Sequence, residues 1–414
     1  MHNIQRNMNT IAIIGGGASG MAAALAAREC LDNRVILLER QARVGRKLLA
    51  TGNGRCNLSN RNVAPPRYHG GDTAFSRPAL ERFDVEDTLV WFSHLGLVTR
   101  TEDSGRIYPI SDAAASVVDV LRLAMDARGV ETRCAFPVTS ARRDGKCFLL
   151  TSDSGETVAC DRLIVACGGM AGAKLGGVKD GYGLLAAFGH RRTSLRPALV
   201  QLKTDSTWTK SMKGVRAQAV VTLERGGDVF ARTEGEVQFA EYGVTGPAIF
   251  DLSRAASDAG PGCDVVLRLL PELSEDDIIS YIEQKTNNFP NYKAENLFSG
   301  CLHNSIARTL LRRAEIAFDA FLWSLTDADR DTLVGLLLRF TLPLQGPMGF
   351  AAAQVTAGGA ETNGFDPTTM ESRLVPGLYA CGEVLDVDGD CGGFNLQWAW
   401  SSGRLAGLAA AGRI

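Results

Sequence analysis

The sequence predicts an α/β fold in which one parallel-sheet domain is split by an inserted β-rich segment and a small helical segment. Three observations point there. The chain opens as strand, glycine turn, helix and strand: the apolar run Ile11–Ile14, the turn Gly15-Gly16-Gly17-Ala18-Ser19-Gly20, the alanine-rich stretch Met21–Cys30, and Val35–Leu38 ending at Glu39. From about Leu195 to Leu270 the pattern changes to short alternating strands, with helical periodicity following to about Leu338. Near the C-terminus, Leu378–Glu383 reads as strand then loop and Gly403–Gly412 as an alanine- and leucine-rich helix, so the first domain resumes. The expected boundaries are 1–194 and 345–414 for the split domain, 195–272 for the β-rich insert, 273–330 for the helical insert and 331–344 for a return to the β-rich part.

Between these landmarks each element has its own signal. A long loop, rich in Gly, Asn and basic residues, runs from Arg40 to about Gly71; loops of that length in compact domains are usually functional. Helices are expected over Ser76–Leu95 and Ser111–Arg128. Strands over Glu131–Val138, Cys147–Thr151 and Thr157–Cys160 read as a meander, the last two joined by the turn Ser152-Asp153-Ser154-Gly155. Arg162–Ala166 reads as a buried strand of the main sheet that ends in Cys167-Gly168-Gly169. Ser274 with Asp277 three residues on is a capping box that starts the helical insert.

Composition narrows the function classes. A chain of 414 residues is too long for one ordinary core. Net charge is −2 with basic residues spread along the chain, so nothing electrostatic favours a nucleic acid or an acidic membrane. The N-terminal stretch Met1–Asn9 is polar, and the longest apolar run, Met21–Ala27, is far short of a membrane span. A soluble, cytoplasmic protein is expected. None of the ten cysteines lies in a CxxC pair, which fits reduced thiols and neither a disulfide framework nor a zinc site. His94 and His190 lie near helix ends and are expected to serve as caps or core, and no Ser-His-Asp or metal constellation is visible among the five histidines, His2, His69, His94, His190 and His303.

The first βαβ unit carries the chemistry. Gly15-x-Gly17-x-x-Gly20 lies between strand and helix: Gly15 permits the tight turn, Gly17 lets backbone approach a pyrophosphate, and Gly20 lets helix pack on strand. The helix N-terminus, through Ala18, Ser19 and Gly20, offers free N–H groups to an anion. Glu39 ends the second strand at the spacing where an acid grips ribose hydroxyls, with Arg40 beside it. Arg46 and Lys47 are candidates to neutralise the pyrophosphate or line the cofactor channel. These residues predict a dinucleotide site.

Later motifs resemble those of Rossmann flavoproteins of the glutathione-reductase type: Gly45 in Arg43-Val44-Gly45-Arg46-Lys47, the short motif Ala166-Cys167-Gly168-Gly169, and Ala380-Cys381-Gly382-Glu383 with Asp386. The resemblance implies flavin adenine dinucleotide (FAD), with Asp386 near the ribityl chain. The chain as a whole is similar to a bacterial family of FAD proteins labelled aminoacetone-oxidase-like or bile-acid 4,6-reductase-like. The matching stretches are Gly45-Arg46-Lys47-Leu48, Thr51-Gly52-Asn53-Gly54-Arg55-Cys56-Asn57-Leu58-Ser59-Asn60, Gly243-Val244-Thr245-Gly246-Pro247, Val355-Thr356-Ala357-Gly358-Gly359, Gly382-Glu383-Val384-Leu385-Asp386 and Gly392-Gly393-Phe394-Asn395-Leu396-Gln397. That family implies a Rossmann FAD domain with two insertions, one a β-barrel and one helical, and flavin chemistry on a substrate it does not fix.

On this reading Gly52, Asn53, Gly54, Cys56 and Asn57 supply N–H groups and amides near the flavin ring. Gly393, Asn395 and Leu396, ahead of the last helix, hold its pyrimidine side through free N–H groups. Val138, after Pro137, meets adenine through its backbone. Cys56 is expected to be a packed thiol and not the redox partner of Cys391. Gly243–Pro247 reads as a stiff loop on the substrate side. The expected function is an FAD-dependent oxidoreductase passing hydride through flavin N5 to or from a small organic substrate. At this stage oxygen as acceptor and NAD(P)H as transient reductant both stay open, as do the alternatives of a flavin-dependent RNA-modifying protein and a non-catalytic flavin binder.

Overall fold

The computed structural model describes residues 9–260 and 262–414; Met1–Met8, with His2 and most of the polar N-terminal stretch, and Pro261 lie outside the described residues. The chain forms two compact units, one running to Arg196 and resuming over Gln354–Ile414, the other covering Pro197–Ala353.

The first unit is built on a five-stranded parallel sheet. Its order is Leu378–Ala380, Arg162–Val165, β1 (Thr10–Ile14), β2 (Arg34–Leu38), Glu131–Arg133. Ile13 pairs with Leu37 on one side and Ile164 on the other. These strands are continuous apolar runs because both faces are covered: Ile11, Ala12, Ile13 and Leu37 are completely buried. One cover is α1 (Ala18–Ala27) crossed by the C-terminal helix Phe394–Ala410. The two helices touch through small residues. A Cβ on Gly407 would stand 2.3 Å from the Ala23 carbonyl oxygen, so only glycine permits that approach.

In the first unit two expected elements differ. The helix expected over Ser76–Leu95 is two helices, Arg77–Arg82 and Val85–His94, because Asp84 breaks off and caps the second in a reciprocal capping box with Asp87. The strand expected over Glu131–Val138 stops at Arg133. There the chain turns across the end of β2, where the N–H groups of Ala135 and Phe136 donate to the carbonyls of Gln41 and Glu39. Val138 instead begins an antiparallel meander, Val138–Asp144, Cys147–Ser152 and Thr157–Cys160.

The second unit is a closed six-stranded barrel in the order Leu202–Thr204, Gly243–Thr245, Asp228–Ala240, Arg216–Arg225, Asp264–Leu269, Phe340–Pro347. Helices Glu275–Asn288, Asn304–Arg313 and Asp327–Leu338 share its core, with Ile282, Leu310 and Leu337 buried in one cluster with Val221 and Leu267. The Ser274–Asp277 capping box is present. Gly243–Pro247, expected as a loop, is barrel strand to Thr245 and then opens the helix Pro247–Ala259. Phe239 and Ala240 pair with Val244 and Gly243, and closing the barrel draws this segment into the ladder.

Candidate cofactor and active site

The glycine turn follows directly from the sheet. Gly15 leaves β1 at φ +112° and donates its N–H to the Leu38 carbonyl at 2.8 Å; a Cβ there would lie 2.4 Å from the Ala166 carbonyl oxygen. A Cβ on Gly20 would lie 1.9 Å from the Gly15 oxygen. Gly17 is different. Its backbone is extended, it starts α1 without any side-chain cap, and a Cβ on it would meet nothing within 4 Å. The first-turn N–H groups of Ala18, Ser19 and Gly20 have no partner within the helix, and an anion beside them is stabilised by the helix dipole.

Glu39 is buried at the end of β2. Its Oε2 accepts the Gly16 N–H at 2.7 Å and its Oε1 the Gln41 N–H at 2.7 Å. A carboxylate offers about four acceptor sites, so about two remain for a diol. The Gly45 N–H donates to the Gly16 carbonyl at 2.8 Å and ties the long loop to the turn. Beyond it the basic residues part company. Arg46 and Arg40 are exposed, one donating to Gln41 at 2.6 Å and the other to Asp180 at 3.4 Å.

Lys47 turns inward. Its Nζ donates to Glu383 Oε2 at 2.7 Å, while Glu383 Oε1 accepts the Thr356 N–H at 2.9 Å and the Thr356 hydroxyl accepts the Ala171 N–H at 3.0 Å. This chain of bonds joins the early loop to two later motifs. The Ala166 N–H donates to Ile14, Cys167 packs its thiol toward the same carbonyl, and Gly168, at φ +68°, faces Glu383. Gly382 lies so close to Ser19 that a Cβ would stand 2.4 Å from the hydroxyl. The turn Gly15–Gly20, Ala166–Gly168 and Gly382–Glu383 thus converge. Asp386 is buried nearby and accepts the Gly71 N–H at 3.0 Å. Val138 is buried at the start of the meander.

A second group gathers at the start of the C-terminal helix. Gly52, Asn53 and Gly54 all take positive φ (56°, 55° and 85°), and Cys56 does too at 60°. This coiled backbone delivers Asn57, whose Oδ1 is buried without a hydrogen-bond partner. A Cβ on Gly393 would lie 2.9 Å from that oxygen. The helix beginning at Phe394 has no side-chain cap, leaving the N–H groups of Phe394, Asn395 and Leu396 available. Asn395 contributes backbone only, since its amide bonds back to Gly389 and Asp390. Cys56 is fully buried, and burial pushes its thiol up to about 12; Cys167 and Cys381 are pushed up to about 12 for the same reason. All ten cysteines are free.

Sequence reasoning missed three supports. Gln397, fully buried, holds its Nε2 within hydrogen-bond reach of Phe83, Asp84, Thr88 and Ser401 and accepts from Ser59 at 2.7 Å, locking the helix start. Thr356 bridges Glu383 to Ala171, as above. His69 Nε2 lies 2.7 Å from Asp390, which also pairs with Arg67 at 3.1 Å. The repeated glycines around Gln397 and Thr356 were the available signal; His69 and Asp390 lie 321 residues apart and share none.

The residues present fit FAD. Open space at Gly17, an uncapped α1, a half-used carboxylate at Glu39 and the orphaned Asn57 oxygen are each a vacancy in hydrogen bonding that its phosphates, ribose and ring can fill. Among the described residues no group of His, Cys, Asp and Glu is placed to hold a metal, and no helix is long and apolar enough to cross a membrane.

Comparison with known proteins agrees with this architecture. Residues 9–409 match the family described as HI0933-like protein Rossmann domain. The chain is 38% identical, over 98% of its length and 100% of the relative's, to a 3-dehydro-bile acid delta(4,6)-reductase of Clostridium scindens. It is 33% identical, over 94% of its length and 95% of the relative's, to a ribosomal RNA dihydrouridine synthase of Escherichia coli. Among solved structures, a 3-ketosteroid delta1-dehydrogenase from Sterolibacterium denitrificans shares the fold with a TM-score of 0.51 at 12% identity, covering 98% of this chain and 100% of that one.

Proposed function

Because the chain belongs to the HI0933-like Rossmann-domain family and is an FAD-dependent oxidoreductase, we propose that it reduces a carbon–carbon double bond conjugated to a carbonyl. One observation carries the reading: two relatives covered almost end to end have names that differ in substrate and agree in chemistry. A delta(4,6)-reductase of a 3-dehydro bile acid saturates double bonds in line with a 3-oxo group. A dihydrouridine synthase saturates the uracil double bond, which is conjugated to a ring carbonyl.

FAD, when bound, supplies the hydride chemistry. The chain's residues do the holding and tuning. In this reading the first-turn N–H groups of α1 take the pyrophosphate, Glu39 takes the adenosine ribose, and Val138 meets adenine through its backbone. Asp386 and the Lys47–Glu383 pair line the middle of the cofactor site. Asn57 accepts from the ring's edge and the N–H groups at Asn395 and Leu396 face its pyrimidine carbonyls. The Asn57 oxygen is aimed at a donor, because a buried acceptor left unmade costs roughly 1–3 kcal/mol. NAD(P)H is the reductant and binds transiently, since the sequence carries no second GxGxxG turn. The substrate is a small enone, and the protein works in the cytoplasm, where ten free thiols stay reduced.

A second reading takes the same chemistry to uracil in an RNA, favoured by the names of two relatives, the second 28% identical over 96% of this chain. One experiment separates them. Holoprotein is reduced anaerobically with NADH or NADPH, then mixed with a 3-oxo-4-ene steroid or with unmodified ribosomal RNA. Flavin reoxidation with a steroid product gaining two hydrogens supports the first reading. Dihydrouridine in the RNA, with no steroid product, supports the second. Reoxidation by neither, with rapid reoxidation by oxygen and peroxide release, overturns the reductase reading in favour of an oxidase.

A further inference from the structure

In the second unit, four aromatic side chains stand exposed at the end of one helix: Phe289 is 40% exposed, Tyr292 47%, Phe321 39% and Trp323 62%. They form one patch. The Trp323 N–H donates to the Pro290 carbonyl at 3.1 Å and the Leu322 N–H to the Tyr292 carbonyl at 2.9 Å, so the two segments run side by side. Within the patch the rings are already paired face to face. Phe289 and Tyr292 stack at 4.8 Å between centroids, and Phe321 and Trp323 lie 6.2 Å apart with planes 14° from parallel. Each pair carries an ammonium: Lys285 Nζ is 5.1 Å from the Phe289 centroid and Lys293 Nζ 3.5 Å from that of Phe321. Neither lysine forms an ion pair with a carboxylate among the described residues.

Clustered exposed rings of this kind mark an interaction site, because leaving them in water forfeits their burial free energy. The chemistry of the patch selects the partner. Flat faces with cations beside them suit flat π-systems strung on an anionic backbone, and stacking on aromatic side chains is how proteins hold unpaired bases. We propose that Phe289, Tyr292, Phe321 and Trp323, with Lys285 and Lys293, form a stacking platform for single-stranded RNA. The inference goes beyond the enone reading: RNA is held at this patch whichever double bond the flavin site reduces. A net charge of −2 does not favour binding to duplexes through phosphates alone. Stacking is local and needs no such face.

The test uses full-length holoprotein and a fluorescein-labelled, mixed-sequence single-stranded RNA of about 12 nucleotides, followed by anisotropy. Trp323→Ala and Tyr292→Ala should each weaken binding about five- to a hundredfold. Lys293→Gln should lower the slope of log K against log salt by about 0.7. Phe230→Ala, an exposed ring on the barrel hairpin, should bind like wild type. Circular dichroism and flavin content confirm that each variant is folded. Unchanged affinity in both ring variants overturns the proposal. So does equal loss of single-strand and duplex binding. A concentration-dependent dimer in sedimentation that Trp323→Ala dissolves, with no RNA bound, assigns the patch to a second copy of the chain and also overturns it. Turnover of a small enone by Trp323→Ala should match wild type. If wild type binds RNA through the patch but reduces neither enone nor uracil, the reductase reading fails while the platform stands.

Discussion

Glu39 divides its carboxylate between protein and ligand: two backbone N–H groups, of Gly16 and Gln41, already use one site on each oxygen. Glu39→Ala should therefore weaken FAD binding about ten- to a hundredfold, since hydrogen bonds to a charged group contribute roughly 1.5–3 kcal/mol. Glu39→Gln keeps one acceptor and should lose less. Titration of apoprotein by flavin fluorescence reads both, and an unchanged dissociation constant in Glu39→Ala would mean the acid serves only the turn. Cys56 makes the opposite case. Burial pushes its thiol up to about 12, which disfavours the thiolate at pH 8 and fits a packed thiol. Cys56→Ser should leave anaerobic flavin reduction within about twofold of wild type. In native protein at pH 8, iodoacetamide should spare Cys56 while labelling it after denaturation, as peptide mapping would read; rapid native labelling would contradict a packed thiol.

At the level of elements, close packing and burial decide the outcomes. α1 and the C-terminal helix meet at Gly407 so tightly that a methyl group has no room beside the Ala23 carbonyl. Gly407→Ala should cost about 1–3 kcal/mol, read as a lower denaturation midpoint with an unchanged slope. His190 lies just past the helix Asp180–Ala186, stacked on Phe365 at 4.3 Å with its Nε2 2.8 Å from the Ser372 hydroxyl. Burial holds its pKa below the ordinary 6.5. The unfolded chain therefore takes up the proton first. Its contribution to stability is intact above about pH 6.5 and is lost as the pH falls below that, down through the depressed folded value. His190→Gln should flatten the fall in urea midpoint between pH 7 and 5; an equally steep fall would place the acid sensitivity elsewhere.

Across the whole molecule, what was legible in the sequence was whatever is local or periodic. Ile11–Glu39 announces a βαβ unit because strand, turn and helix each have their own signal within a few residues, and the Ser274–Asp277 cap is equally local. Segments whose fate depends on distant partners were not legible. The stop at Arg133 depends on carbonyls at the end of β2, and Gly243–Thr245 is strand only because the barrel closes on it. Within the site, the glycine turn and Glu39 could be read directly. Lys47 and Glu383, 336 residues apart, could be named singly but not as a pair, and nothing marked the bond from Arg46 to Gln41.

In the proposed site the turn Gly15–Gly20 holds the diphosphate of FAD, and a substitution at Gly17 separates that binding from folding. A Cβ at Gly15 or Gly20 collides with the protein's own backbone, so variants there confuse folding with binding. At Gly17 the added methyl meets no protein atom and the backbone is not left-handed. The measurement is the FAD dissociation constant of apo Gly17→Ala beside its thermal midpoint and that of apo wild type. Expected are apo stability within about 1 kcal/mol of wild type, FAD affinity lower by at least about tenfold, and FAD, not FMN, as the flavin released from wild type. Equal FAD affinity in an equally stable variant would contradict this placement of the diphosphate.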